Sequence, residues 1–147
     1  MGKAAKPQGR ASRWLIASDE LVWVFELNRG AAWVRWSPIV GCAVRAWRES
    51  DPTTVADCDV QVDYALLPLG VPAEAVGSRF DDHRSYFTMV FDHTSDLVAD
   101  DVRANAFAYM AQDIHDLAIR LSTVASLRQA VRQGLFDSGF VDRRLAS

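Results

Sequence analysis

The sequence predicts an α+β fold, in which an antiparallel sheet of about four or five strands packs against a long C-terminal helix or helix pair. Two observations indicate this class. Segments rich in β-branched and aromatic residues all lie before residue 92, and apolar residues recur every three or four positions between residues 94 and 134. Because strands precede the helix without alternating with it, the sheet is expected to be antiparallel.

Length and composition predict one domain with a short tail. The chain has 147 residues, half of them apolar, and a formal net charge of -3. Residues 1–12 carry Lys3, Lys6 and Arg10 without an acid, and we expect a flexible basic tail followed by a single domain over 13–147. Three cations attract phosphate only weakly, so nucleic acid is a minor alternative as partner.

The cellular location is inferred from absent targeting signals. The first ten residues contain no apolar core, and no apolar run approaches the roughly 18 residues of a membrane span. We therefore expect a cytoplasmic protein. Frequent Ala, Arg, Asp and Val suggest a bacterial or phage source.

The N-terminal half reads as a meander of three strands. β-Branched and aromatic residues favour strands at 21–27, 31–36 and 41–47. Residues 28–30 form a three-residue hairpin loop, in which Gly30 can adopt a positive φ. Ser37 and Pro38 separate the second strand from the third. The alternative for the first strand is a helix capped by Ser18.

The middle of the chain supplies two further predicted strands. Residues 58–67 alternate clearly, with Val60, Val62, Tyr64 and Leu66 on one side and Asp59, Gln61 and Asp63 on the other. Pro68 ends this strand, and a long connection follows over 68–84, in which Pro72 is expected to begin a helical turn. Residues 85–91 are then predicted to form another strand.

The periodic segment 94–134 predicts the C-terminal helices. Thr94 or Ser95 can cap its start, and Ser126 with Gln129 fits a capping box, so the helix is expected to break near Leu121 and restart at Leu127. Gly134 ends the second piece. Residues 135–145 are predicted to add a short third helix.

The register of the meander predicts an aromatic-arginine face. A loop at 28–30 sets Trp23 opposite Arg35, and a turn at Ile39 sets Arg35 opposite Ala43, so side chains on each face can be assigned. One face, with Val22, Val24, Cys42 and Val44, suits the helix. The other holds Trp23, Trp33, Arg35, Arg45 and Trp47. Aromatic residues and arginine are enriched at protein interfaces.

This aromatic-arginine face has competing interpretations. The 68–84 connection or the last helix could cover it, with arginine stems lying on the rings. It could also line a small-ligand pocket or stack single-stranded nucleic acid. A basic stripe formed by Arg120, Arg128 and Arg132 could meet a phosphate or an acidic partner, or be a solvated helix face.

No recognised catalytic motif is present. The chain lacks GxGxxG, GxxxxGK[ST], HExxH and GxSxG. The remaining catalytic candidates pair Asp63 with His93, or Asp82 with His83, while His115 lies on a helix flank. These pairs leave a metal-dependent or hydrolase-like enzyme open, although we expect a non-catalytic protein.

Metal and cofactor sites are not expected. Asp57, Asp59 and Asp63 read as one solvated strand face that could alternatively bind a cation or a basic partner. Cys42 and Cys58 lack metal-ligand spacing and are expected to be buried free thiols. The sequence therefore predicts a small binding protein whose partner is a second copy or another protein.

Overall fold

The α+β architecture is confirmed by a computed structural model, which describes residues 6–8, 11–29, 36–78, 80–92 and 99–146. Within these residues six antiparallel strands lie side by side in sequence order. The strands are β1 (Lys6–Gln8), β2 (Ala11–Ala17), β3 (Leu21–Arg29), β4 (Trp36–Val44), β5 (Val60–Asp63) and β6 (Phe140–Val141). The helices are α1 (His83–Val90), α2 (Asp100–Arg120), α3 (Val124–Arg132) and α4 (Arg143–Ala146).

The predicted N-terminal tail contributes to the sheet. β1 pairs with the start of β2, and β2 pairs along most of its length with β3. The boundary expected at residue 12 therefore cuts through a strand. Cross-strand packing supports the pairing of β2 with β3, because Trp14 stacks on Phe25 with ring centroids 5.1 Å apart.

The predicted return strand is displaced along the chain. β3 pairs Arg29 with Trp36, the first residue of β4, so the register excludes the tight loop predicted at 28–30; residues 31–35 of the predicted strand lie outside the described part. We expected Pro38 to separate two strands, but it lies within β4. It pairs with Leu27, while the pairing of β4 with β5 begins only at Ile39, so the missing N–H leaves no gap in that ladder.

The strand predicted over 85–91 is wrong, since this segment forms α1. Asp82 caps the helix by accepting a hydrogen bond from the N–H of Ser85. The buried residues His83, Tyr86, Phe87 and Val90 follow helical spacing. The strand expected over 58–67 is shorter, because β5 ends at Asp63 and a 3-10 turn follows.

The break in the C-terminal helix is confirmed. α2 ends before Leu121, and α3 starts after a capping box formed by Thr123 and Ser126, one turn earlier than the predicted pair. Gly134 has φ +84° and ends this segment as expected. The predicted third helix is replaced by β6 and the short α4.

Both faces of the central sheet are buried. The helices pack on the face that carries Trp23, Phe25, Cys42 and Val44. Val22, Val24 and Ala43 point the other way and pack with Val55 and Cys58 from the segment between β4 and β5. The helices therefore cover Trp23 and Phe25, which we expected on the other face, together with Cys42 and Val44, which we expected on the helix face.

Candidate functional site

Trp23 lies in the core, not on an exposed binding face. Its side chain is 2% exposed, its ring lies 6.3 Å from that of Phe136, and its indole N–H donates to the carbonyl of Leu121 at 2.9 Å. The prediction failed because Trp23 pairs with Cys42 rather than with Arg35. Trp33 and Arg35 lie outside the described residues.

Arg45 and Trp47 lie together in a 3-10 turn after β4. Arg45 forms a bidentate pair with Asp51, with N···O distances of 3.0 and 3.1 Å, and also donates to the carbonyl of Ser18. Trp47 is half-buried, and the guanidinium carbon of Arg144 lies 4.0 Å from its ring centroid. This stacking geometry is a cation–π contact.

A buried carboxylate connects this turn to the C-terminal segment. Asp59 accepts hydrogen bonds from the N–H of Val44 and from Arg48, both at 2.7 Å, and lies 3.7 Å from Arg144. Asp142 pairs with Arg144 at 3.0 Å, and this contact lowers the pKa of Asp142 to about 2. Asp59 therefore belongs to an internal network rather than to the solvated acidic face that we expected.

An exposed patch that the sequence analysis missed adjoins this network. We call it the β6 patch: Phe140, Val141, Asp142, Arg143 and Arg144 line an open cleft of about 650 Å³. Phe140 is 54% exposed on the edge strand of the sheet. The signal in the sequence was the pair Phe140-Val141 behind Gly139, which fits a short strand as well as the helix that we predicted.

The acid and histidine pairs considered for catalysis do not assemble in the described residues. Asp82 caps α1, and Asp63 caps the following 3-10 turn by accepting from the N–H of Ala65. His83 is buried, and His115 lies 4.0 Å from Asp116 on the surface of α2. His93 lies outside the described part. Within that part, no cluster of three or more His, Cys, Asp or Glu could hold a metal.

The buried polar groups around α1 make internal contacts that are typical of a structural core. Tyr64 donates a hydrogen bond of 2.6 Å to Asp113, and burial together with this bond raises the pKa of the phenol. The ring of His83 packs edge-on against Tyr64, 4.7 Å away.

Both cysteines are buried free thiols, as the sequence predicted. Burial raises the pKa of Cys58 to about 12 and raises that of Cys42 as well. The thiolate is the reactive form of cysteine, so neither residue is suited to act as a nucleophile.

The described residues define an α+β protein with an open sheet edge and no assembled catalytic set. Among these residues, no helix combines the length and the hydropathy that a membrane span requires. Comparison of the chain with protein families, with curated sequences and with solved structures found no match.

Proposed function

We propose that this chain is a small non-catalytic binding protein that associates with a second copy through the β6 patch. The observation that carries the proposal is the position of Phe140, a large aromatic side chain exposed to water at the edge of the sheet. Exposed apolar groups beside an unpaired edge strand are typical of interaction surfaces. A cytoplasmic location is part of this proposal.

The backbone of β6 supports pairing with another strand. The N–H of Asp142 donates to the carbonyl of Asp59, and β6 pairs Val141 with Val60. In an antiparallel ladder, bonded and non-bonded residue pairs alternate, so the N–H and C=O of Val141 point away from β5. A second copy can supply an identical edge, and a two-fold axis at Val141 would join the two sheets.

The side chains of the patch suit a weak, reversible contact. Phe140 would be buried beside the Asp142–Arg144 pair of the second copy, whose charges already neutralise each other. A two-residue strand forms few intermolecular hydrogen bonds, so most of the association energy must come from burying Phe140. We therefore expect a dimer with micromolar or weaker affinity.

Light scattering over a range of chain concentrations tests this proposal. The wild-type mass is expected to rise towards that of a dimer with concentration. Phe140→Lys removes the aromatic anchor, and Val141→Pro removes the outward N–H without touching a hydrogen bond to β5. Both variants are expected to stay monomeric at concentrations where the wild type pairs.

The matched control is Val76→Lys, because Val76 is also a strongly exposed apolar residue but lies outside the patch. This variant should retain the wild-type mass profile. A wild-type chain that is monomeric throughout would overturn the proposal. A dimer that persists in both patch variants would overturn it as well.

A further inference from the structure

A second cleft lies at the junction of α2 and α3, away from the β6 patch. Its volume is about 430 Å³. Leu121, Ala130, Leu135 and Pro68 supply apolar walls, and Leu121 and Ala130 are buried. Clefts of this size with an apolar lining and a few polar groups are typical ligand sites.

Local backbone geometry builds this cleft. Leu121 leaves helical geometry with φ -104° and ψ 69°, and the Thr123 cap starts α3 in a new direction. Gln129, on α3, and Gln133, which caps its C-terminus, are one helical turn apart and both line the cleft. After Gly134, the N–H of Leu135 donates to the carbonyl of Ala130 and so closes the far wall.

Three polar side chains at the rim have no partner within the described part of the chain, whereas Ser126 is held in the capping box. The side chains of Arg120, Gln129 and Gln133 are exposed and make no hydrogen bond or ion pair with the described residues. Arg45, by contrast, pairs with Asp51, and Arg103 donates to the carbonyls at the end of α1. None of the residues that line the cleft is acidic, so its rim carries one net positive charge.

We propose that this cleft binds a small carboxylate with an apolar body. The guanidinium of Arg120 can engage a carboxylate through two parallel hydrogen bonds, and the amide groups of Gln129 and Gln133 can donate to the same oxygens. The apolar walls would cover the rest of the ligand. The negative end of the α2 dipole offsets part of the attraction, so we expect millimolar affinity for a ligand of few atoms.

The composition of the cleft disfavours other anions. A nucleic acid needs several cations along its backbone, whereas Arg120 is the one cation among the lining residues. Arg128 does not extend the site, because it donates to the carbonyl of Arg144 in the C-terminal segment. The carboxylate itself could belong to a free organic acid or to the C-terminus of a peptide, since both present the same group.

Chemical-shift titration of the full-length, isotope-labelled chain tests the site. Sodium hexanoate is the main probe, and it is expected to shift the signals of Arg120, Gln129 and Gln133 saturably. Sodium acetate supplies the charge without the apolar body, and hexan-1-ol supplies the body without the charge. Both are expected to bind at least about tenfold more weakly than hexanoate.

A pair of short peptides distinguishes the two sources of carboxylate. Ala-Ala-Ala-Leu is added with a free and with an amidated C-terminus. Tighter binding of the free-acid peptide than of hexanoate assigns the cleft to a chain terminus, and weaker binding assigns it to a free organic acid. Either outcome supports the carboxylate site, whereas equal binding of the two peptides overturns it.

Substitutions at the rim complete the test. Arg120→Gln is expected to weaken hexanoate binding about tenfold, and Gln133→Glu, which adds a negative charge, should abolish it. Arg132→Gln is the matched control, because Arg132 is an exposed arginine of α3 that does not line the cleft. No saturable shift in the wild type, or equal binding by wild type and Arg120→Gln, would overturn the proposal.

Discussion

His83 is a buried titratable side chain in an aromatic environment. Its ring lies 4.7 Å from those of both Tyr64 and Phe87, and neither nitrogen has a hydrogen-bond partner of good geometry among the described residues. Burial lowers the pKa of His83 below 6.5, although the nearby Ala65 carbonyl and the Asp113 carboxylate partly oppose this effect. As the first residue of α1, it also faces the positive end of the helix dipole.

The lowered pKa of His83 makes folding stability depend on pH. The unfolded chain takes up this proton near pH 6.5, whereas the folded chain does so only at lower pH. The contribution of neutral His83 to the free energy of unfolding is therefore complete above pH 6.5. It falls as the pH drops from 6.5 towards the folded-state pKa. Replacing His83 with Gln should reduce this loss, measured by urea unfolding at neutral and mildly acidic pH.

Phe87→Leu is the control for this prediction, since Phe87 contacts the same ring without titrating. It should lower stability by about 1 kcal/mol at each pH and leave the difference between the two pH values as in the wild type. An unchanged pH dependence in His83→Gln would contradict the assignment to His83.

The junction between α2 and α3 shows how a short polar motif fixes an element boundary. The hydroxyl of Thr123 accepts from the N–H of Ser126 at 3.1 Å, and the hydroxyl of Ser126 accepts from the N–H of Thr123 at 3.1 Å. The carboxylate of Glu20 also accepts from the N–H of Val124. These bonds satisfy N–H groups that the first turn of α3 cannot pair internally.

Thr123→Ala is expected to lower the free energy of unfolding by about 1 kcal/mol, because it removes one acceptor of the capping box. Urea unfolding measures this change. Thr123→Ser keeps the hydroxyl and should stay close to the wild type. Equal losses in the two variants would indicate that packing at this position, and not the cap, sets the stability.

At the scale of elements, sequence patterns identified the C-terminal helices better than the strands. The helical repeat extends over several turns and was unambiguous, and the capping signal at Ser126 and the glycine at Gly134 predicted the break and the end. The segment 85–91 failed because a short run of aromatic and β-branched residues fits either state. In this segment, the Asp82 cap and the contacts of Phe87 with Tyr64 and Tyr109 favour the helix.

The prediction of the binding face failed because the predicted strand register was wrong, not because the composition of the strands was misread. Asn28-Arg29-Gly30 is a plausible tight hairpin, but β3 continues to Arg29 and pairs that residue with Trp36. Because Cys42 lies opposite Trp23, Trp23 shares a face with Cys42 and Val44, and the helices cover that face. Of the five residues predicted, Arg45 and Trp47 lie together in the turn after β4, because they are two residues apart in the sequence.

The whole molecule depends on contacts that join segments far apart in sequence. Asp59 connects the end of β4, the turn at Arg48 and, through Arg144, the C-terminal segment that carries β6 and α4. Local periodicity cannot reveal such a contact, because its partners lie on separate elements. The same network positions Arg144 on Trp47 and so shapes the β6 patch.

Asp59→Ala is expected to lower the free energy of unfolding by about 3 kcal/mol, because it leaves Arg48 and the N–H of Val44 without their buried partner. The chain offers a matched control in Asp51→Ala. Asp51 also pairs with an arginine, but its side chain is 43% exposed, against 6% for Asp59, so its removal should cost less than about 1 kcal/mol. Urea unfolding of both variants measures the difference. Similar losses in the two would show that the Asp59 network does not hold the C-terminal segment on the sheet. A larger loss at Asp59, with faster amide exchange at Asp142 and Leu145, whose N–H groups are hydrogen-bonded, would show that it does.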